Sequence, residues 1–228
     1  MRSKIITALV LLSLGIALTA CSMSERAAAP AEPKPAPAAA DSVRQPFGRI
    51  LIAYFSRADN TQIQNPTAID PDAVTSASLL PPGNTAVLAS LIQQNVGGDI
   101  LSIKVQEPYP EDYEQCLERA VNESTHRIRP ALSTHISTMD EYDTIFIGYP
   151  NWDYGAPMAV IAFLEDYDVA GKRIIPFCSH GTGGLSSSVN QIRRAVPQAK
   201  VEAPIGISRD DMADAPQQIN AWISSLSQ

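Results

Sequence analysis

Ser56 and the run Gly83-Asn84-Thr85 place hydroxyls, an amide and a flexible glycine where an apolar strand gives way to a helical pattern. Donors of this kind suit a phosphate: hydroxyls and unpaired backbone N–H groups at a helix N-terminus hold a dianion, and the helix dipole adds to the attraction. Asn60-Thr61 is a second candidate for the same role. The residues that follow decide between them. After Thr61 comes a polar stretch with Pro66 and Pro71, incompatible with a long helix, whereas after Thr85 an amphipathic run continues to Gln94. Gly83-Asn84-Thr85 is therefore expected to open the helix, with residues 57–82 as an inserted loop. Gly, Asn and Thr are also good helix caps, so a purely structural cap is an equal reading of these three residues alone.

A second segment, Tyr149-Pro150-Asn151-Trp152-Asp153-Tyr154, offers chemistry of a different kind. Trp152 and Tyr154 could stack on a flat ring, with Asn151 and the loop backbone at its polar edge. A tryptophan in a loop could equally pin that loop to the core.

Other chemistries lack their motifs. There is no G-x-G-x-x-G after the first strand and no Walker lysine-serine pair. A phosphoacceptor domain needs acidic residues at the ends of strands one and three, which here read Phe55-Ser56-Arg57 and Tyr149-Pro150-Asn151. No G-x-S-x-G nucleophile elbow is present, and three scattered histidines have no metal-ligand spacing.

The elements that must position these segments follow from apolar patterning. Continuous apolar runs predict strands at 50–55, 99–105, 144–149 and 173–178, with a short fifth strand within 200–207. Helical periodicity predicts helices at 85–92, 111–127, 157–166, 185–196 and 215–226. Strands buried on both faces and separated by helices imply a parallel sheet with right-handed crossovers, hence a three-layer α/β fold. Ligands of such sheets bind beyond the strands' carboxyl ends, so the loops after Phe55, Tyr149 and Cys178 are the ones that matter.

Tyr54-Phe55-Ser56-Arg57, Gly83-Asn84-Thr85, Gly148-Tyr149-Pro150-Asn151-Trp152 and Phe177-Cys178-Ser179-His180-Gly181, in that order, resemble the flavodoxin superfamily. The resemblance covers residues 48–228 and implies a flavodoxin-like three-layer sandwich with a five-stranded parallel sheet. It also implies FMN as cofactor. Ser56, Arg57, Gly83, Asn84 and Thr85 would surround the phosphate, and Pro150, Asn151, Trp152, Asp153 and Tyr154 the ring. Ser179, His180, Gly181, Gly183 and Gly184 would form the third contact. The inserted loop departs from the uninterrupted phosphate loop of simple flavodoxins. His180 could donate a hydrogen bond or proton to a reduced ring, or be an ordinary loop histidine. Asp153 beside the ring would lower its reduction potential by charge repulsion.

The chain ends set the context. Arg2 and Lys4 precede an apolar run from Ile5 to Ala17, too short for a bilayer span, closed by Leu18-Thr19-Ala20-Cys21. This resembles a bacterial lipoprotein signal: residues 1–20 removed, Cys21 acylated, and Ser22 directing the protein to the periplasmic face of the outer membrane. Residues 21–47, rich in alanine and proline, read as a tether. The whole chain has a net charge of −7; removing residues 1–20 leaves 15 Lys+Arg against 24 Asp+Glu, or −9. So acidic a chain is a poor nucleic-acid binder; the acidity suits a basic redox partner or simply keeps the protein soluble, and the expected partner is a redox protein or a small electron acceptor. With Cys21 lipidated, Cys116 and Cys178 fall on a helix and a strand and are expected as separate free thiols. The expected function is electron transfer by an FMN-binding envelope lipoprotein. The alternatives are an NAD(P)H-dependent quinone or nitro reductase, and a flavin-free binding lipoprotein.

Overall fold

A computed structural model describes residues 46–76 and 78–227. The expected signal peptide, Cys21 and nearly all of the tether lie outside the described residues. Five parallel lanes form one sheet. β1 (Ile50–Tyr54) lies between β2 (Asp99–Ser102) and β3 (Thr144–Pro150), and β4 (Arg173–His180) follows β3. The fifth lane is shared by β5 (Lys200–Val201) and β6 (Ile205–Ser208), both paired with β4. The lane breaks where Pro204, which has no N–H to donate, interrupts the ladder.

Alternation along the strands fills two cores. Ile50 and Ile52 face α1 (Asn84–Val96) and α5 (Ala215–Leu226), packing with Leu88, Ile92, Ile219 and Trp222. Leu51 and Ala53 face the opposite layer, built from α2 (Tyr113–His126), α3 (Met158–Glu165) and α4 (Ser188–Ala195). α3 buries every residue from Met158 to Leu164, as expected of a helix apolar all round. Gly148 is needed where β3 passes β4, because a Cβ there would lie 2.1 Å from the Phe177 ring.

Three sequence expectations shift at the carboxyl ends of the strands. β2 stops at Ser102, short of Val105, because the Val105 N–H turns to Asn60 Oδ1 at 2.8 Å and Val105 pairs instead with Leu132. β4 runs on to His180, two residues past Cys178, because Ser179 and His180 pair with Ile207 and Ser208 of β6. α4 begins at Ser188 and not at Leu185, since Ser186 takes a left-handed φ of 42° and ends the preceding turn. Cys116 and Cys178 are both free and buried.

Candidate cofactor site

β1 ends against α1 through a glycine. Gly83 adopts φ 75°, a conformation costly for other residues, and no side chain caps the helix it precedes. The first-turn amides of α1 therefore keep their donors for something outside the helix. Ser56 is buried beside Gly83, and its hydroxyl accepts the Asp59 N–H at 3.1 Å. The Thr85 hydroxyl lies 2.8 Å from that of Ser179, joining α1 to β4. Asn60 is no phosphate ligand. Its amide donates to the Ser56 and Ile103 carbonyls and accepts from Val105, all buried, so it knots the end of β1 to the chain leaving β2.

Trp152 and Gly155 exchange two backbone hydrogen bonds, of 2.9 and 3.0 Å, around Asp153-Tyr154. Both central residues have positive φ, 47° and 57°, the signature of a type I′ turn usually made by Asn-Gly or Asp-Gly. The turn is held from α4's entrance, where the Ser187 N–H and hydroxyl both donate to the Tyr154 carbonyl. The Tyr154 side chain is 72% exposed at its tip. Trp152 instead packs edge-on against Phe55 and Tyr109, with centroids 5.6 and 5.4 Å away. It thus pins its loop to the core, one of the two roles the sequence left open, and also lines the cavity described next.

The β3 and β4 loops interlock. The Asn151 N–H donates to the Ser179 carbonyl, and its side-chain amide to the Gly184 carbonyl at 2.6 Å and Ser186 Oγ at 3.3 Å. A Cβ on Gly183 would lie 2.8 Å from that amide nitrogen. Asn151 is thus spent on shaping the glycine loop. His180 Nδ1 donates to the Gly181 carbonyl at 2.9 Å, so in the neutral ring Nε2 is an acceptor. Burial pushes the Cys178 thiol up to about 12, and it raises the Cys116 thiol against the opposing Arg57 and Arg119 charges. Neither sulfur is a ready nucleophile.

These loops open into one cavity of about 470 Å³, within the range of small-molecule sites. Asn84, the loop from Pro150 to Tyr154, and the loop from Ser179 through Gly181 to Gly183 all line it. Ser56, Gly83, Thr85 and Gly184 sit behind this first layer. Sequence reasoning missed the far wall, made by Tyr113, Cys116, Leu117 and Ala120 of α2 with Val74 and Ser78 of the inserted loop. The available signal was weak: an apolar stripe on an otherwise charged helix. Arg57 also lines the cavity and is 4% exposed, held by the Thr75 and Glu111 carbonyls at 2.7 and 3.0 Å.

The donor set suits an aromatic mononucleotide. An uncapped helix N-terminus with two neighbouring hydroxyls can take a phosphate, and Trp152 and Tyr154 offer ring surface at the other side of the loops. Two of the three buried side-chain donors or acceptors without a partner among the described residues, Arg57 Nε and Trp152 Nε1, belong to residues of this cavity.

A flavodoxin family model matches residues 73–225. No curated protein matches the chain. Among solved structures, it is similar to a provisionally described flavoprotein from Bacteroides uniformis, at 26% identity over 78% of this chain and 99% of that one, with a TM-score of 0.60. A protein from Bacteroides eggerthii, described in the same way, aligns at 24% identity over 79% and 98% of the two chains, also with a TM-score of 0.60. A flavoprotein in complex with FMN from Lactobacillus acidophilus shares the fold at 16% identity, covering 74% and 98%, with a TM-score of 0.51. With the sheet order, the loops at its carboxyl edge and the family match in agreement, the chain belongs to the flavodoxin family.

Proposed function

We propose that this chain binds FMN and transfers electrons in the cell envelope, anchored through a lipid on Cys21. The observation that carries the reading is the convergence, on one cavity, of the uncapped α1 N-terminus, the aromatic turn and the glycine loop. Bound FMN would supply the one- or two-electron chemistry. The α1 amides with the hydroxyls behind them would hold its phosphate. Trp152, fixed by Phe55 and Tyr109, would present a rigid wall to the ring, and Tyr154 an exposed one. The FMN complex of the Lactobacillus acidophilus protein, which shares the fold, supports the choice of cofactor.

The test is the visible spectrum of the purified chain before and after incubation with FMN and desalting. We expect a retained oxidised-flavin spectrum that is lost in a Ser56→Ala/Thr85→Ala/Trp152→Ala variant. No retained flavin under either condition would overturn the reading and leave a flavin-free binding protein. For the anchor, Cys21→Ala should move the protein from the membrane to the soluble fraction.

One observation favours reduction of a small acceptor over transfer to a redox protein: the cavity continues past the loops to the wall formed by α2. Rapid reduction of the bound flavin by NADH or NADPH in stopped flow would mark a nicotinamide-dependent reductase. Reduction by a protein or membrane donor alone would mark a carrier.

A further inference from the structure

We propose that the groove over α3, between α2 and α4, is a docking site for an acidic segment of a partner protein. It lies outside the cofactor cavity, and the proposal does not depend on the flavin reading.

The groove encloses about 410 Å³. Met158 and Ile161 of α3 give it a buried, apolar floor. Arg127, at the C-terminal end of α2, lines one side, and Arg194, in the last turn of α4, lines the other. At the end of α3, Glu165 is held by Arg129 through two hydrogen bonds of 2.6 and 2.8 Å, so that pair is neutral within itself. Among the described residues, neither Arg127 nor Arg194 has a carboxylate within ion-pair distance. Three arginines against one carboxylate leave the groove at +2, on a chain that carries −9 from Cys21 onward. Arg193, exposed beside Arg194, adds further positive charge and meets only Asn190 Oδ1, at 3.4 Å. A cation at a helix C-terminus is favoured by the helix dipole, which accounts for either arginine singly. It does not account for an apolar floor between two unneutralised guanidinium groups.

The charge of the groove selects an anion. Guanidinium groups take carboxylates bidentately, as Arg129 takes Glu165 in this same groove. The rim selects a protein segment. Val121 of α2 and Ile128 just beyond it are 40% and 42% exposed, and apolar side chains set among arginines are the composition of protein interfaces. An anionic membrane surface fits less well, since it repels the chain as a whole and, being flat, does not enter a recessed groove.

Leu117, Val121 and Ser124 share one face of α2 at helical spacing. Leu117 belongs to the wall of the cofactor cavity and Ser124 to the groove, so a partner seated in the groove lies alongside that cavity. Its contact surface has the opposite sign to the basic partner that the net charge of the chain suggests. Docking reads charge locally, because salt screens exposed charges beyond about 8–10 Å.

The test titrates the full chain at low salt with the capped peptide Glu-Glu-Leu-Leu-Glu-Glu and with its counterpart carrying Gln in place of every Glu. The two share a length and an apolar centre and differ in charge. We expect the acidic peptide to bind about tenfold more tightly, an advantage that shrinks as salt is added. Arg127→Gln/Arg194→Gln should abolish the preference, and both positions are exposed, so the fold survives the change. Lys104→Gln, which removes an exposed lysine just past β2, should leave the preference intact. Loading with FMN should not displace the peptide. Equal affinities for the two peptides, a preference that survives the double variant, an equal loss in Lys104→Gln, or displacement by FMN would each overturn the proposal. So would tighter, arginine-dependent binding of dihexanoyl-phosphatidylglycerol kept below its micelle-forming concentration, which would assign the groove to a lipid headgroup. A chain that retains no FMN yet binds the acidic peptide through Arg127 and Arg194 would sink the flavin reading and support this one.

Discussion

The two sides of the cavity are built on different physics. On one side, the loops after β3 and β4 are cross-tied: Asn151 bonds the Ser179 and Gly184 carbonyls, and Ser187 bonds the Tyr154 carbonyl twice. On the other, residues 61–82 hold two short 3-10 turns, Pro66–Ala68 and Val74–Ser76, between described stretches that are mostly exposed. That loop is fastened at a few points, chiefly by Arg57 at Thr75, by the Gln64 N–H on Glu111, and by buried Leu79. A surface that must hold one geometry is over-determined by hydrogen bonds, whereas a wall with few buried contacts opens at low free-energy cost.

That contrast can be broken first at its root. Asn60 ties the end of β1 to the chain leaving β2 through three buried backbone groups. Asn60→Ala leaves all three without partners and should cost about 3 kcal/mol or more in a denaturant melt. A loss under about 1 kcal/mol would mean that solvent reaches these groups and that the loop's root is loose as well. On the rigid side, Asn151→Ala removes two side-chain bonds but leaves the loop backbone paired. A loss of about 1–2 kcal/mol is expected, together with weaker FMN retention after desalting. Unchanged retention would show that the cross-tie is not what shapes the ring side.

The type I′ turn sharpens the comparison in the opposite direction. Tyr154→Gly would create the Asp-Gly pair that this turn prefers, so stability should rise, by up to about 1 kcal/mol, while flavin retention falls. A variant that gains stability and keeps FMN equally well would remove the reason for placing an exposed aromatic at a strained position. The smallest effect is electrostatic. Asp153→Asn removes a negative charge from the cavity rim, which makes reduction of bound FMN easier. Its potential should rise by roughly 40 mV or less, since an exposed charge at about 4 Å is worth about 1 kcal/mol in water. An unchanged potential in a spectroelectrochemical titration would place the carboxylate out of the ring's field.

How much of this was visible in the chain depends on the range of the interactions involved. The apolar runs at 50–55 and 144–149 announced the strands found at Ile50–Tyr54 and Thr144–Pro150, and the pattern after Thr85 announced α1, because both signals are local. The paired aromatic and glycine loops were legible as a set for the same reason: each follows a recognisable strand. The direction of Arg57, by contrast, depends on Thr75 and Glu111, 18 and 54 positions away. Asn60 read as a phosphate candidate because an Asn-Thr pair after a strand has that chemistry. Only its distance from Ile103 and Val105 in space made it structural.

The order of strands and helices, the place where α1 begins and the chemistry gathered at the strands' carboxyl ends were thus determined by the sequence itself, through hydrophobic period, proline placement and capping preference. Which side chains face one another across the cavity was decided by tertiary structure. Trp152 is a wall because Phe55 and Tyr109 fix it, and α2 becomes part of the site because the sheet order β2-β1-β3-β4 brings its first turns beside the β1 loop. The physical reason is that burial and hydrogen-bond satisfaction are settled by the whole packed chain, and a buried group takes whatever partner the fold delivers, however distant in sequence.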